Sequence, residues 1–198
     1  MKAFNSLRQA IVLGGVVVFG MFAQVAAAEG DVKWSGFLNA IGAISDSKTP
    51  YLEAIDENGS FDETNMGFNA AARINSKVSV AGQLHAVPEG VVFDWGYAQY
   101  FFNDNTTGKA GRLKYPAALV SETIDIGVLN LWVRAPESVY SELAGLVFES
   151  YNGAAVNYTT GDELEFSTEF YIGEIDAETR KHKKMLGVVL KVESDTYI

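Results

Sequence analysis

The stretch Glu163–Ile172 reads ELEFSTEFYI, and it indicates the fold class of the chain. Its large apolar residues Leu164, Phe166, Phe170 and Ile172 all occupy even positions, whereas the three glutamates occupy odd ones. Successive side chains of a strand point to opposite faces of a sheet. The spacing therefore predicts a β-strand with one apolar face and one charged face.

The same alternation returns at Gly67–Ile74, Lys77–His85 and Met185–Glu193. Strands of soluble sandwiches average about five or six residues, whereas a strand that crosses a membrane needs about 9–11. Several alternating segments of this chain reach the longer class, and aromatic residues lie near their ends, as the aromatic girdles of membrane barrels require. We therefore predict an all-β fold, an antiparallel transmembrane β-barrel, with a secreted soluble β-sandwich as the alternative.

Composition excludes several function classes. The 198 residues include 48% hydrophobic and 20% charged side chains, which is incompatible with a disordered chain. The net charge of −10 argues against a nucleic-acid partner, because phosphate requires a basic face. The chain has no cysteine, and neither of its two histidines belongs to an H-E-x-x-H motif. We predict no enzymatic activity, and hence no catalytic residues, no cofactor and no metal.

The first 28 residues have the three-part layout of a secretory signal peptide. Lys2 and Arg8 precede the apolar run Ala10–Ala23, and Ala26 and Ala28 supply the small residues that a cleavage site requires. The apolar run is shorter than the roughly 20 residues of a membrane-spanning helix. We predict that residues 1–28 are removed and that residues 29–198 form the barrel domain.

Alternation and turn residues together predict nine strands. They lie near residues 32–44, 65–75, 77–87, 91–103, 109–115, 142–150, 153–160, 163–174 and 185–193. Connections of about 26 residues with little regular structure are usually functional, which singles out residues 116–141 after the fifth strand. If the first strand begins at the periplasmic side, counting nine strands places the basic run Arg180–Lys184 in a periplasmic turn.

A run of motifs resembles Gram-negative outer-membrane porins, of the branch with a G-R-x-K/R-x-P strand end and a later W-x-R-x-P. The matching segments are Tyr97–Asn105, Gly111–Pro116, Ser121–Gly127 and Trp132–Tyr140. The resemblance implies a trimeric passive channel for small hydrophilic solutes, in which residues 116–141 fold into the barrel as a constriction loop. Porins have about 16–18 strands and a terminal aromatic residue, so we expect this sequence to be the N-terminal part of a longer one.

The candidate pore-lining residues lie in and around that loop. Arg112 and Lys114 flank Leu113 and so point the same way, and we expect them to face the lumen, because lipid-facing charges cost several kcal/mol. They form either a basic wall that sets a field across the pore or an ion-pair network that pins the loop. Arg134 either lines the constriction or anchors the loop. The acidic residues expected to oppose the basic wall are Glu122, Asp125 and Glu137.

The function predicted from these observations is passive diffusion through a porin of the bacterial outer membrane, reached by export through the periplasm. The expected partners are outer-membrane lipid and lipopolysaccharide, a homotrimer, and small solutes in transit. Two alternatives stay open. One is a small non-channel barrel that serves as an adhesin, an anchor or a lipid-modifying enzyme, and the other is a secreted β-sandwich that binds a ligand.

The signal peptide gives the first prediction. The exported protein should begin at Glu29, because Ala26 and Ala28 satisfy the small-residue rule and Glu29 ends the apolar region. N-terminal sequencing of exported protein measures this directly. Exported material that begins at Met1 would show that the segment is not cleaved.

Overall fold

The computed structural model describes residues 31–50, 55–116, 121, 123–129, 149–176 and 181–194 of the 198-residue chain. These residues form eight β-strands and one short 3₁₀ turn at Gly127–Leu129. The strands are β1 Val32–Asn39, β2 Asn65–Asn75, β3 Val78–Val87, β4 Gly90–Phe101, β5 Thr106–Lys114, β6 Ser150–Thr160, β7 Leu164–Asp176 and β8 Lys181–Ser194.

All eight strands belong to one antiparallel sheet in which each strand pairs with its neighbours in sequence, in the order β1 to β8. The predicted all-β, antiparallel fold is confirmed. The sheet is open, with β1 at one edge and β8 at the other. The predicted signal peptide, residues 1–28, lies outside the described residues.

The strand count differs from the predicted nine. The strand predicted at 142–150 lies outside the described residues except for Glu149 and Ser150, and Ser150 already belongs to β6. Among the described residues, β5 therefore pairs directly with β6, from Lys114 opposite Ser150 to Thr106 opposite Tyr158. The first predicted strand also ends earlier, at Asn39, and Ala43 forms only an isolated bridge with Ser60.

This pairing corrects the predicted position of the basic run. The long connections 40–64 and 115–149 both lie at one end of the sheet, and the short turns 76–77, 102–105 and 161–163 lie at the other. β7 ends at Asp176 and β8 begins at Lys181, at the end of the sheet where the long connections begin and not at the end with the short turns. The prediction of a periplasmic turn is wrong for Lys181–Lys184, because these residues belong to β8 at the end with the long connections; Arg180 lies outside the described residues. The prediction had counted another strand between Lys114 and Ser150, whereas β5 pairs directly with β6.

The register separates two chemically different faces. One set of side chains, which we call the apolar face, includes nearly all of the exposed large hydrophobic residues of the strands; Val92 is the exception. Following the paired residues from strand to strand, its members include Trp34, Phe68, Leu84, Phe93, Tyr100, Val156, Phe170, Ile172, Val188 and Leu190. The opposite side, the polar face, includes Ser35, Asn69, Gln83, Gln99, Lys109, Asn157 and Glu169.

The small buried core lies on the polar face. Leu113, Tyr151, Ala155 and Ile175 form it, and four partly buried side chains pack around them: Tyr97, Tyr115, Tyr171 and Met185. Glycines make room for the tyrosines, since a Cβ at Gly173 or Gly187 would collide with the ring of Tyr151 or Tyr171. Within the described part of the chain, no helix is long and apolar enough to span a membrane.

Candidate functional site

A polar cluster lies at the end of the sheet that carries the long connections. Its side chains come from the ends of five strands and from the connection between β5 and β6, which brings together residues far apart in sequence. The members of this polar cluster are Asn39, Asn65, Gln83, His85, Asp94, Lys114 and Asp125.

Lys114 is the central charge of the cluster. Its Nζ lies 2.8 Å from Asp94 Oδ1 and 3.0 Å from Asp125 Oδ2. The Lys114 and Asp94 side chains are only 6% and 3% exposed. Charges this deeply buried are stable only when they are paired and hydrogen-bonded, and the two carboxylates provide that pairing.

Asp94 owes its position to a β-bulge. Gln83 pairs with Trp95 and Leu84 pairs with Phe93, so Asp94 is the extra residue of β4. A bulge leaves its extra residue without a partner in the ladder and redirects the side chain. Gln83 Nε2 donates to Asp94 Oδ2 at 2.7 Å, which satisfies the second carboxylate oxygen.

Side chains also satisfy the Asp94 carbonyl oxygen. Arg112 Nε donates to it at 2.7 Å and Ser150 Oγ donates to it at 3.1 Å. In the sheet Arg112 pairs with Gly96 and Asn152, and this register assigns it to the apolar face. It is the last residue of β5 that pairs with β4. Its guanidinium therefore anchors the bulge, and a role of Arg112 in lining a pore stays a prediction.

Asn39 holds the connection between β5 and β6 by its backbone. Its Nδ2 donates to the carbonyl oxygen of Asp125 at 2.6 Å and to Asn65 Oδ1 at 2.8 Å. Its Oδ1 accepts from the backbone N–H of Gly127 at 3.1 Å. A Cβ at Gly127 would lie 2.7 Å from Asn39 Oδ1, so glycine allows this close approach. Together with Lys114, Asn39 fixes residues 125–127 against the sheet.

Glu149 adds another carboxylate beside the cluster. It remains accessible to water, yet desolvation by the protein around its carboxyl raises its pKa, and the negative charges of Asp125 and Asp94 raise it further. The positive charge of Lys114 opposes that shift, as does His85 to a smaller extent. The cluster thus carries an excess of carboxylates over its single buried lysine.

Three groups of the cluster have metal-ligand chemistry. His85, Asp94 and Asp125 can each offer one ligand atom, with all three atoms within 4.8 Å of one another. The Lys114 ammonium, however, contacts both carboxylates, so a divalent ion would have to displace it. The arrangement suits the ammonium group better than a metal ion.

Of the six predicted site residues, the structure describes three and brings them close together. Lys114 and Asp125 are in direct contact. Arg112 is linked to Lys114 through Asp94, whose carbonyl oxygen accepts a hydrogen bond from Arg112. Glu122, Arg134 and Glu137 lie outside the described residues. Asp94, Gln83 and Asn39 were not among the predicted site residues. Asp94 did carry a signal, because a lone carboxylate in the apolar run Val91–Trp95 requires a partner.

Comparison of the chain with protein-family models, with curated proteins and with solved structures finds no match.

The buried ion pairs give a second prediction. Lys114→Met keeps the length of the side chain but leaves Asp94 and Asp125 without their cation, so the free energy of unfolding should fall by about 3–5 kcal/mol. Lys191→Met is the matched control, because Lys191 pairs with Glu193 at side-chain exposures of 46% and 53%. Such a surface pair contributes less than about 1 kcal/mol. Denaturant titration of the full chain in micelles measures both; equal effects would contradict a structural role for Lys114.

The Asn39 contacts give a third prediction. Asn39→Ala removes both hydrogen bonds to residues 125 and 127, so the Gly127 amide should exchange with solvent at least about tenfold faster. Asn65→Ala is the control, since Asn65 contacts Asn39 but has no described hydrogen bond to residues 123–129. Amide hydrogen exchange of the two variants distinguishes them. Unchanged protection of Gly127 in Asn39→Ala would mean that other contacts hold the connection.

Proposed function

We propose that this chain forms part of the wall of an outer-membrane channel of the porin type, through which small hydrophilic solutes diffuse. The observation that carries the proposal is the two-faced sheet. From β1 to β8 the register keeps exposed large apolar side chains on one face and polar side chains on the other. A sheet that separates lipid from a water-filled lumen needs this division.

The dimensions of the sheet support the proposal. Seven of the eight strands have between 9 and 14 residues, and β1 has 8. A tilted strand that crosses the hydrocarbon core needs about 9–11. Bacterial barrels also have short turns at the periplasmic end and longer loops outside, which agrees with the unequal ends of this sheet.

The contacts of residues 125–127 support a channel rather than a small closed barrel. An eight-stranded barrel has an interior just wide enough for its own side chains. Here Asn39, on the polar face, also holds backbone from the β5–β6 connection, and Lys114 holds the Asp125 side chain. The proposal therefore includes further strands, which pair with β1 and β8 and enclose a wider lumen.

The proposed partners follow from the two faces. Outer-membrane lipid covers the apolar face, solutes pass along the polar face, and lipopolysaccharide is reached at the end with the long connections. Residues 116–141 are the proposed constriction loop, of which Lys114 holds Asp125. A homotrimer, cleavage after residue 28 and export to the outer membrane complete the proposal, as the porin resemblance implies.

Two neighbouring valines give a sharp test of the two faces. By register Val188 lies on the apolar face opposite Phe170, and Val189 lies on the polar face opposite Glu169. The chain has no cysteine, so Val188→Cys and Val189→Cys each introduce a single thiol of the same size. With the full chain in lipid vesicles, a charged, water-soluble maleimide should label Val189→Cys at least tenfold faster than Val188→Cys. Equal rates would contradict a lipid-facing apolar surface and favour a soluble sandwich.

Conductance separates the channel from a non-channel barrel. Stepwise ion currents should appear when the protein that carries this chain together with the further strands is added to planar lipid bilayers. If the two cysteines are labelled as expected but no current appears, the protein is a membrane barrel without a channel function.

A further inference from the structure

Lys114 and its two carboxylate partners form a site that water hardly reaches. Lys114 Nζ lies 2.8 Å from Asp94 Oδ1 and 3.0 Å from Asp125 Oδ2, and the side chains of Lys114 and Asp94 are almost fully buried. An amine and a carboxyl group are the reactants from which an amide forms. Reactants held in a productive geometry reach effective concentrations of about 10⁵–10⁸ M. The buried contact therefore favours amide formation as well as an ion pair.

Asp94 is the better placed of the two carboxyl groups for attack by the amine. Its side chain is 3% exposed, whereas that of Asp125 is 15% exposed. Gln83 Nε2 donates to its second oxygen, Oδ2, at 2.7 Å, and such a donor stabilises the negative charge that develops there when an amine adds to the carbon. Arg112 and Ser150 hold the Asp94 carbonyl oxygen, which fixes the backbone at this residue.

The two side chains meet where the ladder between β4 and β5 ends. The last pair of that ladder is Gly96 opposite Arg112, and the same register continued by two residues places Asp94 opposite Lys114. Directly opposed residues of neighbouring strands have Cβ atoms about 4.5–5.5 Å apart. A lysine and an aspartate side chain joined by an amide can bridge this distance.

We propose that Lys114 and Asp94 join in an intramolecular isopeptide bond, with the loss of one water molecule. The ion pair is the starting state. A proton passes from Nζ to Asp94 Oδ1 across their 2.8 Å contact, which leaves a neutral amine beside a carboxylic acid. Burial favours this neutral pair, because it penalises charge. The nitrogen lone pair then attacks the carboxyl carbon, and the Nζ–Cγ bond forms while negative charge moves to Oδ2, beside Gln83.

Asp125 carries the second proton of the reaction. Its Oδ2 lies 3.0 Å from Nζ, so it accepts a proton from the nitrogen as the new bond forms. One oxygen of Asp125 and one of Asp94 lie within 4.8 Å of each other, which lets Asp125 return that proton to the departing hydroxyl. The Cγ–Oδ1 bond breaks and water leaves. Atoms and charges balance without an oxidant, a reductant or any other reactant, and the reaction occurs once in each molecule.

The isopeptide bond acts at one place in the fold. It links β4 and β5 covalently beyond the last backbone pair of their ladder, and it fixes the bulge at Asp94 to the end of β5. This inference goes beyond the proposed function and does not depend on it, because the chemistry needs only the buried cluster.

Mass spectrometry of a tryptic digest of the full chain tests the bond. Without the bond, trypsin cleaves after Lys114 and releases the peptide 78–109, which contains Asp94, as a separate species. With the bond, Lys114 has no free ammonium for trypsin to recognise, so 78–109 stays joined to 113–134. The expected result is a species with the summed mass of these two peptides less one water. Its fragments should locate the link at Asp94 and Lys114.

The chain contains a matched control for the effect of burial. Lys191 Nζ lies 2.6 Å from Glu193 Oε1, but both side chains are about half exposed, so trypsin should cleave after Lys191 as after any free lysine. Among variants, Asp94→Ala should abolish the joined species. Asp125→Asn should slow its appearance by about a hundredfold, because the proton carrier is lost. The unsubstituted chain decides the question should a variant fail to fold.

Two results for the unsubstituted chain would overturn the proposal. One is complete cleavage after Lys114, with 78–109 recovered alone, since the contact would then be an ion pair only. The other is a loss of water confined to 113–134, which would make Asp125 the partner. Joining at Lys191 to the same extent would contradict the role of burial, and an unchanged rate in Asp125→Asn would contradict the proton transfer. The mass is measured without any current, so this proposal and the channel fail separately.

Discussion

The register between neighbouring strands is the constraint on which the rest of the structure depends. Side chains alternate with a period of two, so a slip of one residue in any pair would move all the apolar side chains of that strand to the opposite face. The register instead keeps Phe170 beside Val156 on one side and Val188 on the other. Repeated over eight strands, these cross-strand pairs produce one apolar surface and one polar surface.

The departures from regular register are as informative as the register itself. Shifts occur near Arg73 and Asn75, at Asp94, and near Gly173 and Ile175. At Asp94 the extra residue is satisfied by side chains: Gln83 and Lys114 at the carboxylate, Arg112 and Ser150 at the carbonyl oxygen. The bulge and the polar cluster therefore stabilise each other, because each supplies hydrogen-bonding partners that the other lacks.

Two lysines of β5 have different surroundings. Lys114 is buried between two carboxylates and holds the β5–β6 connection in place. Lys109, five residues earlier on the same strand, lies over the Tyr97 ring on the polar face. Strand β5 thus carries one lysine that is paired with two carboxylates and one that lies over an aromatic ring.

The sequence by itself determined the class of fold and the identity of the two faces. Alternation over Glu163–Ile172 or Lys77–His85 is a local property, and it correctly predicted strands close to β3 and β7. It could not determine the number of strands, since a local pattern does not say which segments pair, and β5 pairs directly with β6.

Only the tertiary structure decided the composition of the site. Lys114 and Asp125 were predicted as site residues from the sequence, but their partners Asp94 and Asn39 were not. Asn39 meets Asp125 across 86 positions of sequence, and Asp94 turns toward Lys114 because one extra residue is inserted in β4. A period of two says which face a side chain takes in a regular strand. This period does not predict bulges or contacts between distant segments, because those depend on how the whole sheet is paired.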